Sequence, residues 1–184
     1  VFVTTAKDTE NTLASTGDYV QTDDNNLDAA VFAKDDITFN GEGKLTVTSE
    51  KGHGIVSKDD LKLTSGEYNI TAASHALSGK NSIRIASGTY TLTSGKDGLH
   101  AENTDDTSKG FVYIADGKFT VNCKGDGIDA GTTAQIENGT FYITSNRGSS
   151  SSSSTDSASV KGIKAGGDIT ISGGTFNLTC EDDG

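Results

Sequence analysis

Between Asp97 and Asp129 the chain gathers oxygen donors: Asp97, Glu102, Asn103, Asp105, Asp106, Asp126 and Asp129. Carboxylates and an amide, in that number and without thiolates, are the donor set of a hard cation, and Ca2+ is the ion expected there. The competing reading is a solvated acidic loop. A second Asx-rich stretch, Asp23, Asp24, Asn25, Asn26 and Asp28, has calcium character too and reads equally well as an ordinary turn. Glu181–Asp183 is a third acidic set. Asp59 and Asp60 repeat the Lys34–Asp36 pattern and read as a charged corner.

Bases are sparse. Lys62, Arg84, His53, His75 and His100 fall on outward or corner positions. A lyase acting on uronates needs a base of lowered pKa and a metal to neutralise the substrate carboxylate. No pair of carboxylates can be placed at glycosidase spacing. The expectation is therefore a binding protein and not an enzyme. Its candidate sugar contacts are the outward cations and rings Lys62, Arg84, His100, Tyr113, Tyr142 and Lys164.

These residues are positioned by a repeat. Val31, Ile55, Leu77, Leu99, Ile128 and Ile163 anchor six similar segments. From Ile55, apolar residues follow at Leu61, Leu63, Tyr68 and Ile70; from Ile163 they follow at Ile169, Ile171, Phe176 and Leu178. A Gly stands two residues before each aromatic, at Gly66, Gly88, Gly117, Gly139 and Gly174. The base period is 22 residues, read from Ile55 to Leu77 to Leu99. Paired apolar residues two apart mark half-buried strands, and glycines mark corners. Three short strands per period predict one coil of a parallel β-helix, with stacked coils about 4.8 Å apart. Leu45, Tyr68, Tyr90, Phe119, Phe141 and Phe176 then form one inward column, and Val47, Ile70, Leu92, Val121, Ile143 and Leu178 another.

The whole chain, 1–184, is expected to be one solenoid domain. Both ends fall within a repeat, so neighbouring coils are expected beyond them. Two insertions break the period: an acidic loop at 102–108, and a Ser-rich loop at 146–160. Loops that interrupt repeats often carry function; the Ser-rich tract reads as a linker. Outward columns of Thr46, Asn69, Thr91, Thr120, Tyr142 and Asn177, and of Thr48, Thr71, Thr93, Asn122, Thr144 and Thr179, make a flat polar face. That face suits a polysaccharide or ice, or simply reflects the strand preference of Thr. Cys123 and Cys180 are expected inward and two coils apart, about 9.6 Å, too far for a disulfide.

Net charge is −11, which disfavours nucleic acid. The 184 residues contain no Pro where average usage gives about nine, as expected of strands whose N–H groups all enter ladders. No run approaches the roughly 20 apolar residues of a membrane helix.

With the template established, AKDDITFNGEGKLTV, HGIVSKDDLKLTSG, KGFVYIADGKFTV, DGIDAG and KGIKAGGDITISGGTF resemble the bacterial β-helix proteins of the carbohydrate-binding domain-containing family. The resemblance covers nearly all of Ala29–Thr179, both insertions included. It implies an all-β, right-handed parallel β-helix like that of family-9 polysaccharide lyases, with bound Ca2+. It further implies a secreted or cell-surface bacterial protein that binds cellulose or acidic sugars such as polygalacturonate without cleaving them. The calcium inference falls on DGLHAENTDD and DGIDA. Two other functions stay open at this point: a calcium-dependent pectate-lyase-type enzyme, marked by a Lys or Arg within reach of the metal, and a structural or adhesive surface solenoid.

Overall fold

The computed structural model describes residues 1–21, 27–146 and 160–181. Asp23, Asp24, Asn25 and Asn26, most of the Ser-rich insertion, and Asp182 and Asp183 lie outside the described residues. Three parallel sheets account for all the described strands, with no helix among them.

The first sheet stacks Phe2–Thr5, Ile37–Gly41, Asp60–Leu63, Ser82–Ile85, Phe111–Ile114, Ala134–Ile136 and Ile169–Ile171. The second stacks Glu10–Ser15, Lys44–Ser49, Glu67–Ala72, Thr89–Ser94, Lys118–Cys123, Thr140–Asn146 and Thr175–Glu181. The third, made of the short anchor segments, stacks Ala29–Ala33, His53–Ser57, Leu77–Gly79, Leu99–Ala101, Ile128–Ala130 and Ile163–Ala165. Each strand pairs with its counterpart one coil away, so the chain is a parallel β-helix of three strands per coil. The register matches the sequence columns: Tyr68 lies beside Tyr90, Tyr90 beside Phe119, Phe119 beside Phe141 and Phe141 beside Phe176.

The aromatic column is the spine of the core. Tyr68 to Phe176 stack face to face at 4.7–5.2 Å between centroids. The two tyrosines are tolerated inside because each hydroxyl donates to a backbone carbonyl, Tyr68 to Ser65 and Tyr90 to Ser87. Gly88 precedes its aromatic at φ +128°, and a Cβ there would meet the Gly66 carbonyl oxygen at 2.9 Å, so the corner needs glycine.

Cys123, Ser145 and Cys180 are successive members of one column, which keeps the two thiols two coils apart, and both are free. One expectation fails here. Cys123 is buried but Cys180 is exposed, because the strand Thr175–Glu181 is the last described rung of its sheet and no described strand stacks on its far side.

Candidate functional site

The polar side chains with the most constrained geometry lie on the outer side of the third sheet. Its strands are short, and the residues two before and one after each anchor both point outward. Consecutive coils place His53, His75, Asp97 and Asp126 at the first of these positions. His100, Asp129 and Lys164 are in register at the second.

The three imidazoles stack. His53 and His75 lie 5.0 Å apart between centroids, and His75 and His100 lie 4.2 Å apart, nearly parallel. Beyond them Asp97, Asp126 and Asp129 bring carboxylate oxygens within 4.8 Å of one another. Asp97 Oδ1 accepts the Asp126 N–H at 2.7 Å, and its Oδ2 lies 3.0 Å from His75 Nδ1 and 3.3 Å from His100 Nδ1. Asp126 Oδ1 accepts the Lys161 N–H at 2.7 Å, and its Oδ2 lies 3.3 Å from Lys164 Nζ. Asp129 Oδ1 is 3.1 Å from Lys164 Nζ, and its Oδ2 is 3.2 Å from His100 Nδ1.

The charges follow from these contacts. Burial opposes ionisation of Asp97, but His100, His75 and the Asp126 N–H outweigh it and hold the carboxyl well below the usual range. Burial likewise opposes the charge on His100, and Asp129 and Asp97 outweigh it, so the imidazole is pushed up to about 9. Asp129 is lowered against burial by His100 and Lys164. Lys164 is raised against burial by Asp129 and Asp126. His53 goes the other way: burial and the adjacent His75 push it down to about 4.

Beside the histidines is a cleft of about 170 Å³, lined by Asp28, His53, Val56, Lys58, His75, Ser78, Lys96, His100 and Glu102. Asp28 faces His53 Nε2 at 3.6 Å. Lys58 and Lys96 have no carboxylate partner among the described residues. The pairing of Ala33 with Ser57 and of Ser57 with Gly79 puts Lys34, Lys58 and Lys80 at one place in three successive coils. They form a cationic row along the edge of this face.

The structure redistributes the candidates read from the sequence. Asp97, Asp126 and Asp129 do converge. Glu102, Asn103, Asp105 and Asp106 do not join them. The strand Leu99–Ala101 carries the chain away from Asp97 at about 3.3 Å per residue before the loop begins. Glu102 stops, exposed, at the cleft rim. The Asn103 side-chain oxygen accepts the N–H groups of Asp105 and Asp106, and Asp106 caps Ser108 at 2.6 Å and faces Lys109 at 3.9 Å. The loop acids therefore shape their own turn.

The candidate sugar contacts lie on three different faces. Lys62, Arg84 and Tyr113 form one outward column of the first sheet, over a shallow groove with Thr38, Thr64 and Ala86. Their charges are already matched: Lys62 to Asp36 at 2.9 Å and Asp60 at 3.3 Å, Arg84 to Asp60 at 3.6 Å. Tyr142 stands 46% exposed in the Thr and Asn column of the second sheet. Only His100 borders the cleft, and Lys164 belongs to the acidic triad. Sequence reasoning missed the histidine stack, Lys58 and Lys96. GHGI and SHAL put His53 and His75 two residues before their anchors, the place that DGL and DGI give to Asp97 and Asp126, so the repeat itself contained the signal.

A bound Ca2+ takes about six to eight oxygens at about 2.3–2.6 Å. The triad does not fit that demand as it stands, because every one of its carboxylate oxygens already faces an N–H, an imidazole or the Lys164 ammonium.

Comparison with known proteins agrees with this architecture. A solved polysaccharide lyase-like protein from C. thermocellum, a gadolinium derivative, superposes with a TM-score of 0.82 at 29% identity, over 95% of this chain and 67% of that one. A carbohydrate-binding domain-containing protein of Acetivibrio thermocellus is 43% identical over 121 residues, 60% of this chain. The match spans 42% of that relative's length. The family model for carbohydrate-binding domain-containing proteins matches residues 1–184, and the chain belongs to that family.

Proposed function

We propose that this protein binds an acidic polysaccharide, of the polygalacturonate class, without cleaving it, and that the chain lies along the cleft of the third sheet. The observation that carries the reading is the cationic edge of that cleft on a protein of net charge −11. Lys58 and Lys80 are stacked one coil apart, and Lys96 lines the same cleft, all without carboxylate partners among the described residues. Stacked like charges are mildly destabilising on their own, and a polyanion running along the solenoid axis relieves the cost. The histidine edges and Ser78 supply hydrogen-bonding groups to sugar hydroxyls. Family membership supports carbohydrate as the ligand class.

The non-catalytic part rests on the lysines. A lyase base must be free of its proton near neutral pH. Lys164 and Lys62, the lysines placed among acids, are both held in the charged form, Lys62 chiefly by its hydrogen bond to Asp36. Calorimetric titration with oligogalacturonate and with a neutral cello-oligosaccharide tests the reading. The acidic oligomer is expected to bind more tightly, with an affinity that falls as salt rises and in Lys58→Ala/Lys96→Ala. Equal affinities for the two oligomers, or an affinity indifferent to both lysines, would refute it. So would an unsaturated product appearing during the titration.

A further inference from the structure

The acidic triad carries an inference of its own. We propose that Lys164 is a built-in cation, whose ammonium takes the place a divalent metal would hold between Asp126 and Asp129. Removing that charge frees Asp126 Oδ2 and Asp129 Oδ1 to face a divalent cation whose remaining positions water would fill.

The first argument is occupancy. Three carboxylates so close together, Asp126 buried and Asp97 and Asp129 partly so, need positive charge. This chain supplies it from within: two backbone N–H groups hold Asp97 and Asp126, His100 lies between Asp97 and Asp129, and Lys164 lies between Asp126 and Asp129. No carboxylate oxygen is left over for a metal. The second is register. His100, Asp129 and Lys164 are successive members of one column, so charge alternates in sign from coil to coil. The third is repetition of the device. In the first sheet Lys62 sits between Asp36 Oδ2 at 2.9 Å and Asp60 Oδ2 at 3.3 Å, beside another close acidic group, Asp35, Asp36 and Asp59.

Tethering decides the competition. The ammonium is fixed to the strand Ile163–Ala165 and is present at an effective concentration no free ion matches without cost. Its side chain is 48% exposed, so a divalent ion that displaced it would find the stem an exit. In the wild type the tethered ammonium keeps a divalent ion out of this place over the concentration range in which Lys164→Met binds one. Lys164→Met removes the charge and keeps most of the stem.

The test is calorimetric titration of Ca2+ into the wild type, Lys164→Met, and each combined with Asp126→Asn, with circular dichroism to verify folding. Lys164→Met should bind Ca2+ at one site about tenfold or more tighter than the wild type, and Asp126→Asn should abolish that gain. Should Lys164→Met fail to fold, wild type and Asp126→Asn decide the matter, since the proposal requires them to respond to calcium alike. Equal affinity of wild type and Lys164→Met would overturn it. A folded Lys164→Met that binds no Ca2+, or wild-type binding lost in Asp126→Asn, would do the same.

Discussion

Stability should peak near pH 6.5 and fall on both sides, because two stacked histidines respond to pH with opposite signs. His53 is moved from 6.5 down to about 4 by burial and His75, with Lys96 and His100 adding to the shift and Asp28 opposing it. Its unfolded form takes up a proton that the folded form refuses, so stability is lost as pH falls from 6.5 towards 4. His100 is moved from 6.5 up to about 9, with Asp129 and Asp97 outweighing burial. Its folded form keeps a proton that the unfolded form releases, so that contribution is complete below 6.5 and lost as pH rises towards 9. Both side chains are less than a quarter exposed, at 17% and 24%. At 1.36 kcal/mol per unit, each shift corresponds to at most about 3 kcal/mol. His100 Nδ1 lies near two carboxylates without aligning on either, so we expect about 1–2 kcal/mol from it. Urea midpoints followed by circular dichroism between pH 4 and pH 9 measure the profile. His53→Gln should flatten the acid limb and His100→Gln the alkaline limb. A stability that rises steadily across the range, or an alkaline limb unchanged in His100→Gln, would refute the reasoning.

Two further outcomes follow from the core. Phe119→Ala removes a ring that is 1% exposed and stacked between Tyr90 and Phe141; it should cost about 3–5 kcal/mol, read as a thermal midpoint lower by roughly 10 °C. Thiol titration of the native protein should find one quickly reacting group, the exposed Cys180, and a second, Cys123, only after unfolding; two fast thiols would show that the strand Lys118–Cys123 is not packed as described.

The repeat made the fold legible. Pairs of apolar residues two apart, a glycine before each aromatic and a constant period define which residues stack, and the observed register follows those columns from Leu45 to Phe176. Asp97, Asp126 and Asp129 could be brought together by the same alignment. The loop acids were misplaced because proximity in sequence was taken for proximity in space, although one outgoing strand separates the loop from the corner where Asp97 sits. The role of Lys164 was hidden for a different reason. It stands 35 residues after Asp129, across the Ser-rich insertion, and only coil stacking shows that it is the next residue in the same column. Lys58 opens a repeat of the Lys34–Asp36 pattern and Lys96 stands in no motif; what distinguishes them is the lack of a carboxylate partner among the described residues, which is a property of the folded chain.

The central claim is that an acidic sugar occupies the cleft of the third sheet. The chain has three histidines, and all three line that cleft, so their imidazole NMR signals report on it directly. Titration with oligogalacturonate should move the signals of His53, His75 and His100 along one saturable curve, with a weaker response in Lys58→Ala/Lys96→Ala and little response to a neutral cello-oligosaccharide. Binding of oligogalacturonate that leaves all three signals in place, or a neutral oligomer that moves them equally, would contradict the account.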